Sequence, residues 1–256
     1  MNLDTGIRLW RWGNAVSCFG VAQFLCLWAL AVQFYPGGTM ADQKTTGYSF
    51  YENFLSDLGM TKAWSGQPNP TASLLFNTAL VVLGLSIIPF FLFLPSHAPD
   101  QWESLQIAAA FGVVSALALV GIGLSPFDVH PDAHVAALVL WVMSLSSAAV
   151  LHFGALWASD ECSPLLAMLS AGLATAICVY MVAAAAGQKA AAVQKYLVLY
   201  ALGWYVVFGV RMVLTTKLTP PERDRQMRRE AARDRQLRRE AAEYLRRLHG
   251  ERRGGK

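Results

Sequence analysis

ASLLFNTALVVLGLSIIPFFLFL, residues Ala72–Leu94, carries no charged side chain from end to end. At about 1.5 Å of rise per helical residue, such a run is long enough to cross the roughly 30 Å hydrocarbon core of a bilayer. Its apolar residues go all the way round a helix instead of along one stripe, the pattern of a helix with no aqueous face. Five further runs share this character: Ala15–Tyr35, Leu105–Leu124, Ala133–Trp157, Leu165–Ala186 and Tyr196–Leu214. None holds Asp, Glu or Lys, and their single arginine, Arg211, lies one turn from an end, where its charge can snorkel to the headgroups. Strands of a membrane barrel would alternate polar and apolar residues, and these runs do not. The chain reads as an all-α polytopic membrane protein, a six-transmembrane-helix bundle.

Composition leads the same way. Of 256 residues, 55% are hydrophobic and 15% charged, too apolar for an ordinary water-soluble domain. The first run follows Arg8 and Arg11 and contains Ala29-Leu30-Ala31, which resembles a cleavage site, but its apolar stretch continues past that tripeptide to Tyr35. It is therefore read as a retained helix and not as a cleaved signal.

Six spans put both termini on one side with the loops around Asp100 and Asp160. That side holds Arg8, Arg11, Arg211, Lys217 and 13 basic residues beyond Thr219, against Lys44, Lys62, Lys189 and Lys195 on the other. The positive-inside rule then predicts cytoplasmic termini, and without the tail the two sides would balance. Residues 1–218 form the expected transmembrane domain, with 8 basic and 10 acidic residues; 219–256 form an arginine-rich cytoplasmic tail with 13 and 7. The tail repeats itself, Arg223–Ala232 (RDRQMRREAA) being followed by Arg233–Ala242 (RDRQLRREAA). Its residues favour helix, and Pro220-Pro221 ends the sixth span before it. A ten-residue period keeps no apolar stripe on one face, so a solvated helix laced by ion pairs is expected. Such a helix can meet an anionic lipid surface or a cytoplasmic protein partner. Nucleic acid is not an expected partner, since Tyr244 is the tail's single stacking surface.

The side opposite the termini holds the residues with chemistry. In SFYENFLSDLG, Ser49–Gly59, an α-helix would group Tyr51, Phe54, Leu55 and Leu58 on one face and Asn53, Ser56 and Asp57 on the other, with Gly59 as its C-terminal cap. Such a helix would lie in the membrane interface or pack over the outer ends of the spans. In SPFDVHPDAH, Ser125–His134, Pro131 suits the first turn of the fourth span, and His130 and His134 fall four residues apart at its start. That spacing lets two imidazoles reach one metal ion such as zinc, with Asp128 or Asp57 as an oxygen ligand and an open position for water. Without a metal, Asp128 would cap the helix, His130 would face solvent and His134 would bond Asp57 or a backbone carbonyl. Lys195, at the outer start of the sixth span, is expected to be solvated, to attract a phosphate or to balance the acidic loop. Asn77 and Gln23 are expected to bond between helices, and His152 to be packed. The cysteines, Cys18, Cys26, Cys162 and Cys178, are not clustered as a thiolate zinc site requires.

NFLSDLG, then LLFN at the start of the second span, and SPFDVHPDAH entering the fourth together resemble the bacterial and archaeal membrane family labelled domain of unknown function 998. They are more distantly similar to the DRAM/Sfk-like six-span proteins. The resemblance covers roughly residues 10–215 and leaves the tail out. It implies a six-span fold, a bacterial inner membrane location and importance for Ser56, Asp57, Gly59, Asp128 and His134; it brings no agreed activity, and the DRAM/Sfk-like relatives imply lipid handling. No phosphate loop, nucleophile elbow or redox motif is present. The expected function is an exoplasmic polar pocket of Asn53, Ser56, Asp57, Asp128, His130, His134 and Lys195 that binds a membrane lipid headgroup. A metal-dependent lipid hydrolase built on the same Asp/His cluster, and a scaffold presenting the tail to a partner, are the alternatives.

Overall fold

A computed structural model describes residues 3–160, 162–187 and 190–214, together with Arg233, Gln236 and Leu237, with side chains from Arg11 onward. The chain divides into two units, Met1–Thr216 and Lys217–Lys256. The expected tail helix falls in the second, outside the described residues apart from those three.

Six long helices follow one another: α1 (Leu3–Phe34), α2 (Pro70–Phe93), α3 (Trp102–Leu124), α4 (Pro131–Ala158), α5 (Pro164–Ala185) and α6 (Ala190–Leu214). Each is long and apolar enough to cross a membrane, and the chain is an all-α integral membrane bundle. Among the described residues the β pairing is limited to two isolated bridges, Gly37 with Thr46 and Lys62 with Pro68, both in the long loop. Proline opens α2, α4 and α5, where its missing N–H is not needed and its fixed φ already suits a helix. Ser163 caps α5 by accepting from the Leu165 N–H at 3.3 Å.

Each helix packs on the next, and α6 returns to α1, so the bundle closes. Lipid gives no hydrophobic drive between helices, and polar or small side chains do the joining. Gln23 on α1 donates to the Ala79 carbonyl of α2 at 3.0 Å, and Ser17 to that of Ser86 at 2.8 Å. Gly112 lies so close to the Phe91 ring that a Cβ would overlap it.

Three expectations need correction. α6 starts at Ala190, a full turn and more before Tyr196, because Ala190, Ala191 and Ala192 are strong helix formers. Lys195 is therefore a helical residue, not a loop one. The Ser49–Gly59 stretch is not an α-helix: only Leu55–Gly59 turns, as a 3-10 helix, with three residues per turn. Leu55 and Leu58 then share one inward face, while Tyr51 is 67% exposed and Asn53 and Asp57 are buried. Gly59 is not a left-handed cap. It lets α2 come close: Ser73 Oγ and Asn77 Nδ2 both donate to its carbonyl, at 2.8 and 2.9 Å, and a Cβ would run into the Asn77 amide.

Gly59→Ala should lower the unfolding midpoint in detergent by an amount equivalent to about 1–3 kcal/mol, since the Asn77 amide must move. Gly154→Ala, in mid-helix with open space around the new methyl, should hold or raise it, alanine being favoured there by about 0.5–1 kcal/mol. Equal midpoints for the two variants would show that the turn is not docked on α2.

Candidate functional site

The end of the bundle that carries residues 35–69 is built around a buried cation. Lys195, on the second turn of α6, is fully buried. Its Nζ donates to the Asn53 carbonyl and, at 3.0 Å, to that of Ala191, and it lies 5.4 Å over the Tyr48 ring and 5.2 Å over the Phe50 ring. Asn53 spends its own amide on the loop. Nδ2 donates to the Gly38 carbonyl and to Asp57 Oδ2, both at 2.9 Å, while Oδ1 accepts from Ser49 N at 2.9 Å. Asp57 Oδ2 also accepts from Phe54 N at 2.9 Å. Burial pushes the Asp57 carboxyl above its ordinary range, against the lowering effect of these bonds and of the Lys195 charge. Next to Lys195, Gln194 Oε1 accepts from Leu55 N at 2.8 Å. Two neighbouring residues of α6 thus fasten the loop.

Asp128 does something else. It does not cap α4 but reaches across to the long loop, accepting from Thr61 N at 3.0 Å, Lys62 N at 3.1 Å and the Thr61 hydroxyl. Burial alone would raise its pKa; the bonds from Thr61 and Lys62 outweigh that and hold the carboxyl below its ordinary range. His130 is exposed at the N-cap of α4, with no side-chain capping bond. His134 is buried, its Nδ1 2.8 Å from the Ser125 carbonyl and its ring edge-on to Phe127 at 5.7 Å.

Below the loop lies a cavity of about 60 Å³, partly open to the outside. Leu80, Leu83, Leu119, Leu138 and Leu202 form much of its wall. Ser56, His134 and Gln194 stand at its loop end, and Trp141 and Tyr205 lie deeper. Of the residues expected to make one pocket, Ser56 and His134 meet here. Asn53, Asp57 and Lys195 form the buried fastening beside it, Asp128 pins the two loops, and His130 stands apart.

The candidate metal set of His130, His134, Asp128 and Asp57 is not assembled. Among the described residues no three His, Cys, Asp or Glu side chains come together as ligands would. The reason is that Asp57 faces Asn53 and Phe54, Asp128 faces Thr61 and Lys62, and His134 turns Nδ1 to Ser125.

A second polar group at the other end of the bundle goes beyond the sequence reading. His97, closing the turn after α2, places Nδ1 2.8 Å from His152 Nε2, whose own Nδ1 is 2.9 Å from Ser170 Oγ. Trp204 Nε1 donates to the same Ser170 Oγ at 3.0 Å. His152 was expected to be packed, and it is; its partner His97 carried no signal, being 55 residues away in a Pro-rich turn.

The Asp128 anchor has a pH signature. Because folding lowers this carboxyl's pKa, its contribution is complete above the ordinary carboxylate range near ~3.9 and is lost as pH falls through the lowered value. Hydrogen exchange should show the Thr61 and Lys62 amides protected at pH 5 and above, and deprotected at every pH in Asp128→Ala. Unchanged protection in that variant would mean that the two loops do not depend on this contact.

No family model matches the chain, and neither a curated protein nor a solved structure does.

Proposed function

We propose that the protein binds one lipid-like molecule in the cavity under its long loop, the polar end of the molecule lying at Ser56 and His134. The observation that carries this reading is the cavity itself. Its walls are aliphatic and aromatic, and its few polar groups sit at one end, the division that a small-molecule site shows. A bilayer lipid presents that same distribution of apolar body and polar head.

An exoplasmic loop end, cytoplasmic termini and a bacterial inner membrane are part of this proposal, and the lysine and arginine distribution supports that orientation. The resemblance of NFLSDLG and SPFDVHPDAH to domain of unknown function 998 accords with it, since Ser56 and His134 belong to those two blocks. Hydrolysis by a bound metal draws no support from the separate settings of Asp57, Asp128 and His134. The scaffold reading needs residues 219–256, outside the described part.

Two measurements test the reading. Leu138→Trp should fill the cavity without touching the fastening, and native mass spectrometry of the purified protein should then lose a co-purifying lipid that the wild type retains. Retention of the same lipid by the variant would place its site elsewhere. For orientation, single cysteines replacing Lys44 or Lys62, with the four native cysteines changed to alanine, should react with an impermeant maleimide applied to intact cells. Cysteines replacing Asp100 or Asp160 should not, and the opposite pattern would turn the cavity toward the cytoplasm.

A further inference from the structure

We infer that the cavity takes an uncharged lipid alcohol, a long apolar body ending in a hydroxyl that donates to His134, and that it rejects phosphate- or carboxylate-headed lipids; this rests on the cavity being the binding site. The argument starts from what the lining lacks. No Asp, Glu, Lys or Arg is among the residues around it. The charges closest in sequence to its lining are already engaged. Lys195 is spent on the Asn53 and Ala191 carbonyls and the rings of Tyr48 and Phe50, and Asp57 on Asn53 and Phe54. An anionic head drawn into this space would leave water for a wall with no cation to meet it, which is strongly unfavourable.

What the lining offers is neutral and directional. A carbonyl oxygen only accepts, so the 2.8 Å contact with Ser125 fixes the hydrogen of His134 on Nδ1. The ring is uncharged in a lining with no anion, and Nε2 is left as a bare acceptor. The occupant must therefore bring a donor, and a hydroxyl is the neutral donor that a lipid carries. Ser56, beside it at the loop end, can either give or take a hydrogen bond with the same hydroxyl. Gln194 contributes less, because its Oε1 already holds Leu55 N.

A second, independent mark lies deeper. His134, Leu138 and Trp141 follow the i, i+4, i+7 spacing down one face of α4, so Trp141 stands about 10 Å below His134. Trp141 is buried, lines the cavity, and its Nε1–H has no hydrogen-bond partner. Trp28 and Trp64 also carry buried indole N–H groups without partners; Trp141 differs in lining the cavity, where a polar atom on the occupant could meet it.

Farnesol, farnesyl methyl ether and farnesyl phosphate, compared on the purified full-length protein in dodecylmaltoside, test the inference. The three share one apolar body and differ in having a donor, no donor, or a charge. Tritiated farnesol should bind saturably at one equivalent, with the ether and the phosphate each at least about tenfold weaker as competitors. His134→Phe should weaken farnesol by about tenfold and remove its advantage over the ether. Equal or tighter binding of the phosphate, parity of ether and alcohol, or no saturable farnesol binding would overturn the inference. The three-ligand comparison uses the wild type, so it decides the matter even where a variant fails to fold. Farnesol binding that is indifferent to Leu138→Trp would instead take down the cavity reading itself, whichever ligand bound best.

Discussion

Burying the ammonium of Lys195 constrains this end of the molecule more than any other single group. A lysine inside a membrane-spanning helix must either reach water or find carbonyls, and Lys195 takes the second course. The carbonyl it uses belongs to Asn53, a residue of the loop and not of a helix. The loop must therefore descend onto α6, and every further bond of Asn53 follows from that descent: to Gly38, to Ser49 and to Asp57. Gly38 takes a positive φ of 86° at the point where its carbonyl turns to meet Asn53 and Tyr35. Removing the Asn53 carbonyl would leave the Lys195 ammonium short of an acceptor in a dry site. The long loop is in this sense part of the bundle.

The same fastening determines what lies beneath it. Leu55 and Ser56 come two and three residues after Asn53, and Leu55 N is held by Gln194, the neighbour of Lys195. The roof of the cavity is thus tied to α6 at two adjacent positions. The charges needed for that attachment are turned away from the cavity, which leaves a lining with dipoles and no net charge. In the proposed reading, attachment and selectivity would share an origin, since the ions that hold the roof are the ones withheld from the cavity.

The spans were legible because all-round apolarity over such lengths has one physical explanation, and the helix-opening prolines marked their starts. The start of α6 was not, because a lysine ordinarily ends a span, and nothing near Lys195 in sequence reveals a partner 142 residues earlier. The spacing of Leu55 and Leu58 fits a 3-10 turn and an α-helix alike, so the wrong period was read there. Asp57 and Asn53 fall on one side of the Ser49–Gly59 stretch in sequence, but their burial against each other depends on the loop's descent onto Lys195, which nothing in that stretch announces. His134 stands out by its four-residue spacing from His130, and Ser56 by its place on the polar side of the Ser49–Gly59 stretch. The cavity does not, since a gap between leucines and phenylalanines is a property of packing and leaves no trace in composition.

At the opposite end the polar groups answer to one another. The chain from His97 through His152 to Ser170 and Trp204 admits two self-consistent proton arrangements. Either Ser170 donates to His152 and His152 to His97, leaving an N–H on His97 Nε2, or both bonds reverse and that nitrogen keeps a lone pair. In both, the internal bonds are complete, so shifting any of these rings would break a bond that dry surroundings cannot replace. Phe90 and Phe208 wall the group in, and the Phe90 and Trp204 rings pack against Tyr205, a residue of the cavity lining, at 5.3 Å each. The floor of the cavity is thereby backed by an aromatic layer and a hydrogen-bonded chain with no slack. At the other end Leu55–Gly59 is a single 3-10 turn held from several sides: Gln194 holds the Leu55 N–H, Asn53 the Asp57 carboxylate, Asn69 the Leu58 carbonyl, and Ser73 and Asn77 the Gly59 carbonyl. Lifting that turn would break all of these bonds and expose the buried Leu55 and Leu58. In the lipid-alcohol proposal the hydroxyl lies directly under this turn, beside Ser56 and His134, so the most firmly held part of the loop is also the part that would face the polar end of the occupant.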